Sequence, residues 1–177
     1  MKIYSTKFKG LKIIKREIFN DSRGYFQEVY KQKKLKIHKP IFWCMSVSKK
    51  NVLRGLHLQT KKTQEKFLSV VKGKILDVVV DLRYKSKTFG KHFKVIISAK
   101  KANSILIPAG FAHGFLSLEK ENIVLYSNNN YRSQKSEIGL LWNDKDLNIK
   151  WPKSKLVISK KDKSNITFAN YLKKYKN

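Results

Sequence analysis

Apolar and β-branched residues in the middle of the chain come in short runs, separated by brief polar or glycine-containing gaps. The runs at residues 67–71, 74–82, 92–98, 104–107, 114–118 and 122–127 are rich in Val, Ile, Leu and Phe, and their length and composition predict strands. Two more strands are expected earlier, at 13–18 and 25–30. Lys72-Gly73-Lys74 reads as a tight turn between two of the runs. Many short strands at this spacing predict an all-β sandwich or barrel. The tail, residues 164–177, reads as a short lysine-rich helix, and its end is the segment expected to fray. There is no linker and no internal repeat, so residues 1–177 read as a single domain.

Composition narrows this picture. A chain of 177 residues can enclose one sizeable core. No apolar run approaches the roughly 20 residues of a membrane helix, and the N-terminus has no signal-peptide core. A cytoplasmic protein without a membrane partner is therefore expected. Cys44 is the only cysteine, so no intrachain disulfide can form; in its apolar surroundings it reads as a buried small hydrophobe. The net charge of +28 predicts attraction to polyanions. That charge is spread along the chain and comes overwhelmingly from lysine, with arginine only at Arg16, Arg23, Arg54, Arg83 and Arg132. Base readout and phosphate forks favour arginine, and no nucleic-acid motif is present. A solvated lysine surface or a small anionic substrate fits better than nucleic acid.

The candidate chemistry lies in two glycine-flanked histidines. They occur in Arg54-Gly55-Leu56-His57-Leu58-Gln59 and in Pro108-Ala109-Gly110-Phe111-Ala112-His113-Gly114-Phe115. A histidine can exchange a proton near neutral pH. Many small β-barrels bind metal through a His-x-His pair, but here Gln59 stands where the second histidine would be. His92 and His113 also lack ligand-spaced partners, and a metal site needs about three ligands. Acid–base work fits better, with Arg54 and His57 both facing a cavity near a strand end and Asp162 as a candidate orienting carboxylate. Read alone, a histidine in such a setting is more commonly a satisfied structural residue than a catalytic one.

An ordered series of motifs changes those odds. Asp21-Ser22-Arg23-Gly24-Tyr25-Phe26-Gln27-Glu28 is followed by Val52-Leu53 and the Arg54–Gln59 motif. Next come Gly73-Lys74-Ile75-Leu76-Asp77 through Arg83, Ser86-Lys87-Thr88-Phe89-Gly90 and the stretch at 108–115. Trp142-Asn143-Asp144 and Ile149-Lys150-Trp151-Pro152 complete the series. In order and spacing, the chain from Asp21 to Asp162 resembles the dTDP-4-dehydrorhamnose 3,5-epimerase family of sugar-nucleotide epimerases.

The resemblance implies a cupin-type β-jelly roll with short C-terminal helical segments, acting without cofactor or metal on a nucleotide-sugar substrate. It also implies a homodimer in which N-terminal strands cross to the partner. The implied reaction inverts C3 and C5 of a nucleotide-linked 4-keto-6-deoxyhexose, in deoxysugar and surface-polysaccharide synthesis. The C4 ketone acidifies the neighbouring protons because the carbanion is an enolate. By position, His57 matches the base and Asp162 its paired carboxylate. Tyr126 matches the acid on the opposite face, holding its proton at neutral pH. Lys66 matches the cation near the developing O4 oxyanion. Arg54, His113 and Arg132 match residues lining the substrate site. Phe19, Arg23 and Glu28 match the segment that approaches the nucleotide from the partner subunit.

Two stretches depart from the family pattern. Phe42-Trp43-Cys44 stands where the family has Gln-x-Asn, and Asn128-Asn129-Asn130-Tyr131-Arg132 replaces Thr-Asp-Tyr-Tyr. These changes bear on substrate choice before chemistry. They leave open inversion at C3 only, on a GDP, CDP or UDP sugar. Further rivals are a 4-keto to 3-keto isomerase and a non-catalytic polyanion-binding cupin.

Overall fold

The run at 74–82 is apolar almost throughout, as expected of a strand covered on both faces. In the computed structural model, which describes residues 1–35, 39–152 and 155–175, it forms an inner strand of one layer of a two-layer β-sandwich. The strands in chain order begin with β1 (Lys2–Ser5), β2 (Lys12–Lys15), β3 (Phe19–Asp21), β4 (Gly24–Phe26) and β5 (Phe42–Lys49). They continue with β6 (Val52–Gln59), β7 (Lys66–Lys72), β8 (Lys74–Asp81), β9 (His92–Ser98) and β10 (Asn103–Ile107). The last are β11 (Phe111–Ser117), β12 (Glu121–Asn128), β13 (Glu137–Gly139) and β14 (Val157–Ile158). Three short α-helices lie among the described residues: α1 (Gln32–Leu35), α2 (Lys160–Lys163) and α3 (Phe168–Tyr175).

One sheet has the order β1-β2-β10-β7-β12-β5, and the other β13-β6-β11-β8-β9 with β14 added alongside β6. From β5 to β8, and again from β9 to β12, each successive strand lies in the opposite sheet, so the chain winds around the sandwich. This is the jelly roll that the motifs imply. Leu68, Val70 and Val124 of the first sheet meet Ile75, Val79, Phe111 and Phe115 of the second in the inter-sheet core. The outer face of the second sheet carries Leu53, Leu56, Leu58, Val78 and Val80, and is covered by Leu140, Leu147, Ile149 and Tyr171 from the C-terminal segment. β8 is therefore apolar on both sides. Gly73 makes the expected tight turn at φ +82°.

Some expected boundaries shift. The strand expected at 13–18 ends at Lys15, because its partner β10 begins at Asn103; beyond it, Arg16 bonds the Ala102 carbonyl through both its backbone N–H (2.7 Å) and Nε (3.2 Å). The strand expected at 25–30 stops at Phe26, where β3 runs out, and Tyr30 turns in against Phe67 with ring centres 5.3 Å apart. The tail is not frayed over its described length: Tyr171 is 4% exposed and anchors α3 to the outer core. Residues 176–177 of that tail lie outside the described residues.

One irregularity governs the site. His57 of β6 pairs with His113 of β11, and Arg54 pairs with Phe115. Three steps along β6 thus match two along β11, a β-bulge. In a regular strand, residues three apart point to opposite faces. The extra residue puts Arg54 and His57 on the same face, toward His113 and Phe115. The close approach requires glycine on both strands. Gly55 has φ +108°, and a Cβ there would lie 2.6 Å from the Gly114 Cα and from the His113 oxygen. A Cβ on Gly114 would lie 2.5 Å from the Arg54 oxygen. Gly55→Ala is expected to cost about 2 kcal/mol or more through backbone strain and separation of the strands. Urea unfolding of the variant reads this directly, and unchanged stability would show that the contact is not required.

Candidate active site

The bulge faces a cavity of about 670 Å3 between the sheets. Its wall includes Phe42 and Cys44 of β5, Arg54 and His57 of β6, Lys66 of β7, His113 of β11, Tyr126 of β12 and Glu137 of β13. Arg132 and the segment carrying Lys161 and Asp162 close it. Seven of the residues singled out in the sequence therefore meet here: His57, Tyr126, Asp162, Lys66, Arg54, His113 and Arg132.

His57 Nε2 lies 2.6 Å from Asp162 Oδ1. Asp162 is itself built in from several directions. The Ser159 side chain caps α2 by accepting the Asp162 N–H at 3.0 Å, and Asp162 Oδ2 accepts the Gly55 N–H at 3.3 Å. Burial alone would raise the Asp162 carboxyl, but the hydrogen bond and charge of His57, together with the hydrogen bonds of Gly55 and Ser159, outweigh it and hold the group below the usual carboxylate range. An ionised carboxylate on Nε2 fixes the imidazole and leaves Nδ1 as the basic nitrogen.

A second pair lies beside the first. His113 Nε2 is 2.7 Å from Asp77 Oδ2, and the Asp77 side chain is fully buried on β8. Sequence reading did not single out Asp77. The available signal was a lone carboxylate in the otherwise apolar run 75–80.

Lys66 starts β7, opposite Asn128 of β12. Burial pushes its ammonium below the usual lysine value, while Glu137, Asp77 and Cys44 act in the opposite direction. Tyr126 pairs with Cys44 on β5, and burial raises its hydroxyl above the ordinary phenol value. Tyr126 thus holds a proton that it can donate at neutral pH.

β5 alternates strictly, sending Trp43 and Met45 outward and Phe42 and Cys44 to the cavity. Cys44 is therefore a wall residue of the site, not the closed-core residue its apolar surroundings suggested. Burial pushes its thiol up, away from thiolate. Arg54 is anchored to the same strand, donating to Ser48 Oγ at 3.0 Å and to the Val47 oxygen at 3.3 Å.

Arg132, in place of the family's aromatic, donates from Nε and Nη2 to the two Glu137 oxygens at 2.7 and 3.2 Å. Lys161 pairs with the same carboxylate. The Arg132 hydrogen bonds, with help from Lys161 and against burial, lower Glu137 to about 2. Neither Glu137 nor Lys161 was marked as a site residue from sequence, since a glutamate in a polar segment and one lysine among many carry no local signal.

Phe19, Arg23 and Glu28 are not brought into this cavity by their own chain. Phe19 is 54% exposed on the β3–β4 hairpin. Arg23 is turned back onto Asp21 at 2.7 Å, and Glu28 pairs with Lys31 at 2.7 Å. His92 lies apart as well, with Nδ1 3.0 Å from the Leu147 oxygen. A carboxylate-oriented imidazole, a protonated phenol and a partly desolvated ammonium in one cavity can remove a proton beside a carbonyl, hold the resulting oxyanion and return a proton.

The profile of the dTDP-4-dehydrorhamnose 3,5-epimerase family matches residues 5–170. Among individual proteins, the dTDP-4-dehydrorhamnose 3,5-epimerase of Shigella flexneri is 39% identical over 92% of this chain and 93% of its own length. That of Methanothermobacter thermautotrophicus is 38% identical over 90% of each. The solved structure of dTDP-6-deoxy-D-glucose-3,5-epimerase from Legionella pneumophila, in complex with dTDP-4-keto-L-rhamnose, superposes with a TM-score of 0.90 at 37% identity, covering 94% of this chain and 92% of that one. The Bacillus anthracis enzyme with TDP and PPi bound also gives a TM-score of 0.90, at 38% identity, covering 94% of this chain and 98% of that one. With a jelly roll, a His57–Asp162 pair and a profile match along nearly its whole length, the chain belongs to the dTDP-4-dehydrorhamnose 3,5-epimerase family of isomerases.

Proposed function

We propose that this chain inverts C3 and C5 of dTDP-4-dehydro-6-deoxyglucose, giving dTDP-4-keto-L-rhamnose, as a step in deoxysugar synthesis. The observation that carries this reading is the His57–Asp162 pair at 2.6 Å, in one cavity with Tyr126 and Lys66. His57 takes the proton from the carbon next to the C4 ketone, and Asp162 stabilises the imidazolium that forms. The electron pair moves onto O4, where the Lys66 ammonium offsets the developing charge. Tyr126 returns a proton to the opposite face of the same carbon. The enolate then collapses to the ketone with that centre inverted. Arg54 serves the anionic part of the nucleotide, with its Nε and Nη2 already spent on β5 so that the guanidinium cannot swing. His113, held by Asp77, contributes a polar contact to the sugar.

The same reading takes the working unit to be a pair of chains. The β3–β4 hairpin exposes Phe19, Tyr25 and Phe26 at 54%, 58% and 66%, and the outer row of β5 exposes Trp43, Met45 and Val47. A second copy of this chain covering these apolar positions would place the hairpin, with Arg23, over the neighbouring cavity. None of the described hairpin residues lines its own chain's cavity, which supports this arrangement.

Solvent deuterium tests the reaction. Incubation with dTDP-4-dehydro-6-deoxyglucose in D2O is expected to label C3 and C5. His57→Ala should abolish labelling at both carbons, and Tyr126→Phe should slow turnover by about 10²–10⁴-fold while leaving some exchange. No labelling by the parent protein would refute the activity, and a fully active His57→Ala would refute the assigned base. Light scattering tests the assembly, with twice the chain mass expected. Arg23→Ala should raise KM with kcat retained; a monomer that turns over at full rate would overturn the shared site.

A further inference from the structure

Gln59 follows His57 by two residues on β6, at the place where a His-x-His pair would carry its second histidine. Its amide is buried and fully engaged. Oε1 accepts the Ser133 N–H at 2.6 Å, and Nε2 donates to the Lys62 oxygen at 2.8 Å and the Tyr131 oxygen at 3.4 Å. The backbone is thus gripped on both sides of Arg132. The Arg132 guanidinium is gripped separately, by Glu137, which pairs with Gln59 in the β13–β6 ladder. Glu137 is only 10% exposed, and its second cation, Lys161, adjoins Asp162. Arg132 is half exposed, and it lines the cavity together with Tyr126 and Cys44.

We propose that Gln59 and Glu137 are positioning residues for Arg132, and that the held guanidinium stabilises the negative charge left on the Tyr126 oxygen when that hydroxyl gives up its proton. This rests on Tyr126 being the proton donor of the proposed reaction. In that step the Tyr126 O–H bond breaks and its electron pair stays on oxygen. The enolate supplies the pair for the new C–H bond. A phenolate in a partly desolvated wall is costly, and a fixed cation offsets that cost at the moment it arises. Arg132 acts on Tyr126 in this direction: burial, Cys44 and Glu137 push the Tyr126 hydroxyl up, and Arg54 and Arg132 pull it down. The family's aromatic could not supply this charge.

Arg132→Ala is expected to lower kcat about tenfold, a fraction of what a positioned acid contributes, with KM little changed. Millimolar guanidinium chloride should restore part of that loss, because Glu137 still offers its carboxylate. In Arg132→Ala/Glu137→Gln, guanidinium should restore nothing. Glu137→Gln and Gln59→Ala alone should lower kcat while circular dichroism and dTDP binding stay as in the parent. In a Tyr126→Phe background, Arg132→Ala should add no further loss. A raised KM with kcat unchanged would make Arg132 a ground-state ligand and overturn the proposal, as would losses that add fully in the Tyr126→Phe background. A Tyr126→Phe enzyme as active as the parent would instead refute the donor assignment itself, and this proposal with it.

Discussion

The backbone contact between Gly55 and Gly114 is the constraint on which the site depends. Two strands can approach this closely only where neither carries a side chain, and the bulge there changes the facing of everything that follows on β6. Without the extra residue, Arg54 and His57 would lie on opposite faces, one of them in the outer core. The bulge also leaves the Gly55 N–H to the Asp162 carboxylate instead of to a strand partner. One local irregularity therefore sets the orientation of His57, one of the hydrogen bonds on Asp162 and the position of Arg54 beside it. β13 and β14 then both add to β6, pairing with residues on either side of the bulge.

Around that frame the site concentrates the scarce charge of the chain. Basic residues outnumber acidic ones 40 to 12, yet Asp77, Asp162 and Glu137 all stand at this cavity or directly behind it. Each is matched to a specific cation or imidazole: His113, His57, and Arg132 with Lys161. A buried carboxylate without a partner would be protonated or destabilising, whereas a paired one fixes the geometry of its partner. The lysine excess acts elsewhere, on the solvated surface, and has little part in this arrangement.

Much of the sandwich was legible because its central strands obey simple rules. β8 reads as a strand buried on both faces, and Gly73 reads as the turn before it. β5 was less legible, because its outward row of Trp43, Met45 and Val47 is apolar where a solvated face would be polar. Its inward row, Phe42, Cys44, Ser46 and Ser48, is half polar, so the period-two signal is lost in its first half and inverted in its second. The arginine and histidine of the glycine motif were recognised as candidates for one cavity, but the bulge that makes this possible is a pairing property of two strands. Asp162 lies 105 residues from His57, and Asp77 lies 36 from His113. Such separations leave no local pattern, and only an ordered set of motifs raised Asp162 above an ordinary charged residue.

The positions that depart from the family pattern divide by where they sit. Phe42 and Cys44 face the cavity from β5 and present a ring and a neutral thiol where the family resemblance implies two amides. They remove contacts without adding charge, so they act on what is held and how tightly. Arg132 does the opposite: it adds charge at a place where an aromatic would add only surface. That addition is tolerated because the surroundings already supply a carboxylate with depressed pKa and an amide gripping the loop on either side. An arginine without Glu137 would be a floppy cation on the rim of the cavity. With Glu137 and Gln59 it is a fixed one. The departures on β5 and on the segment after β12 therefore leave the bulge, the His57–Asp162 pair and Lys66 in place.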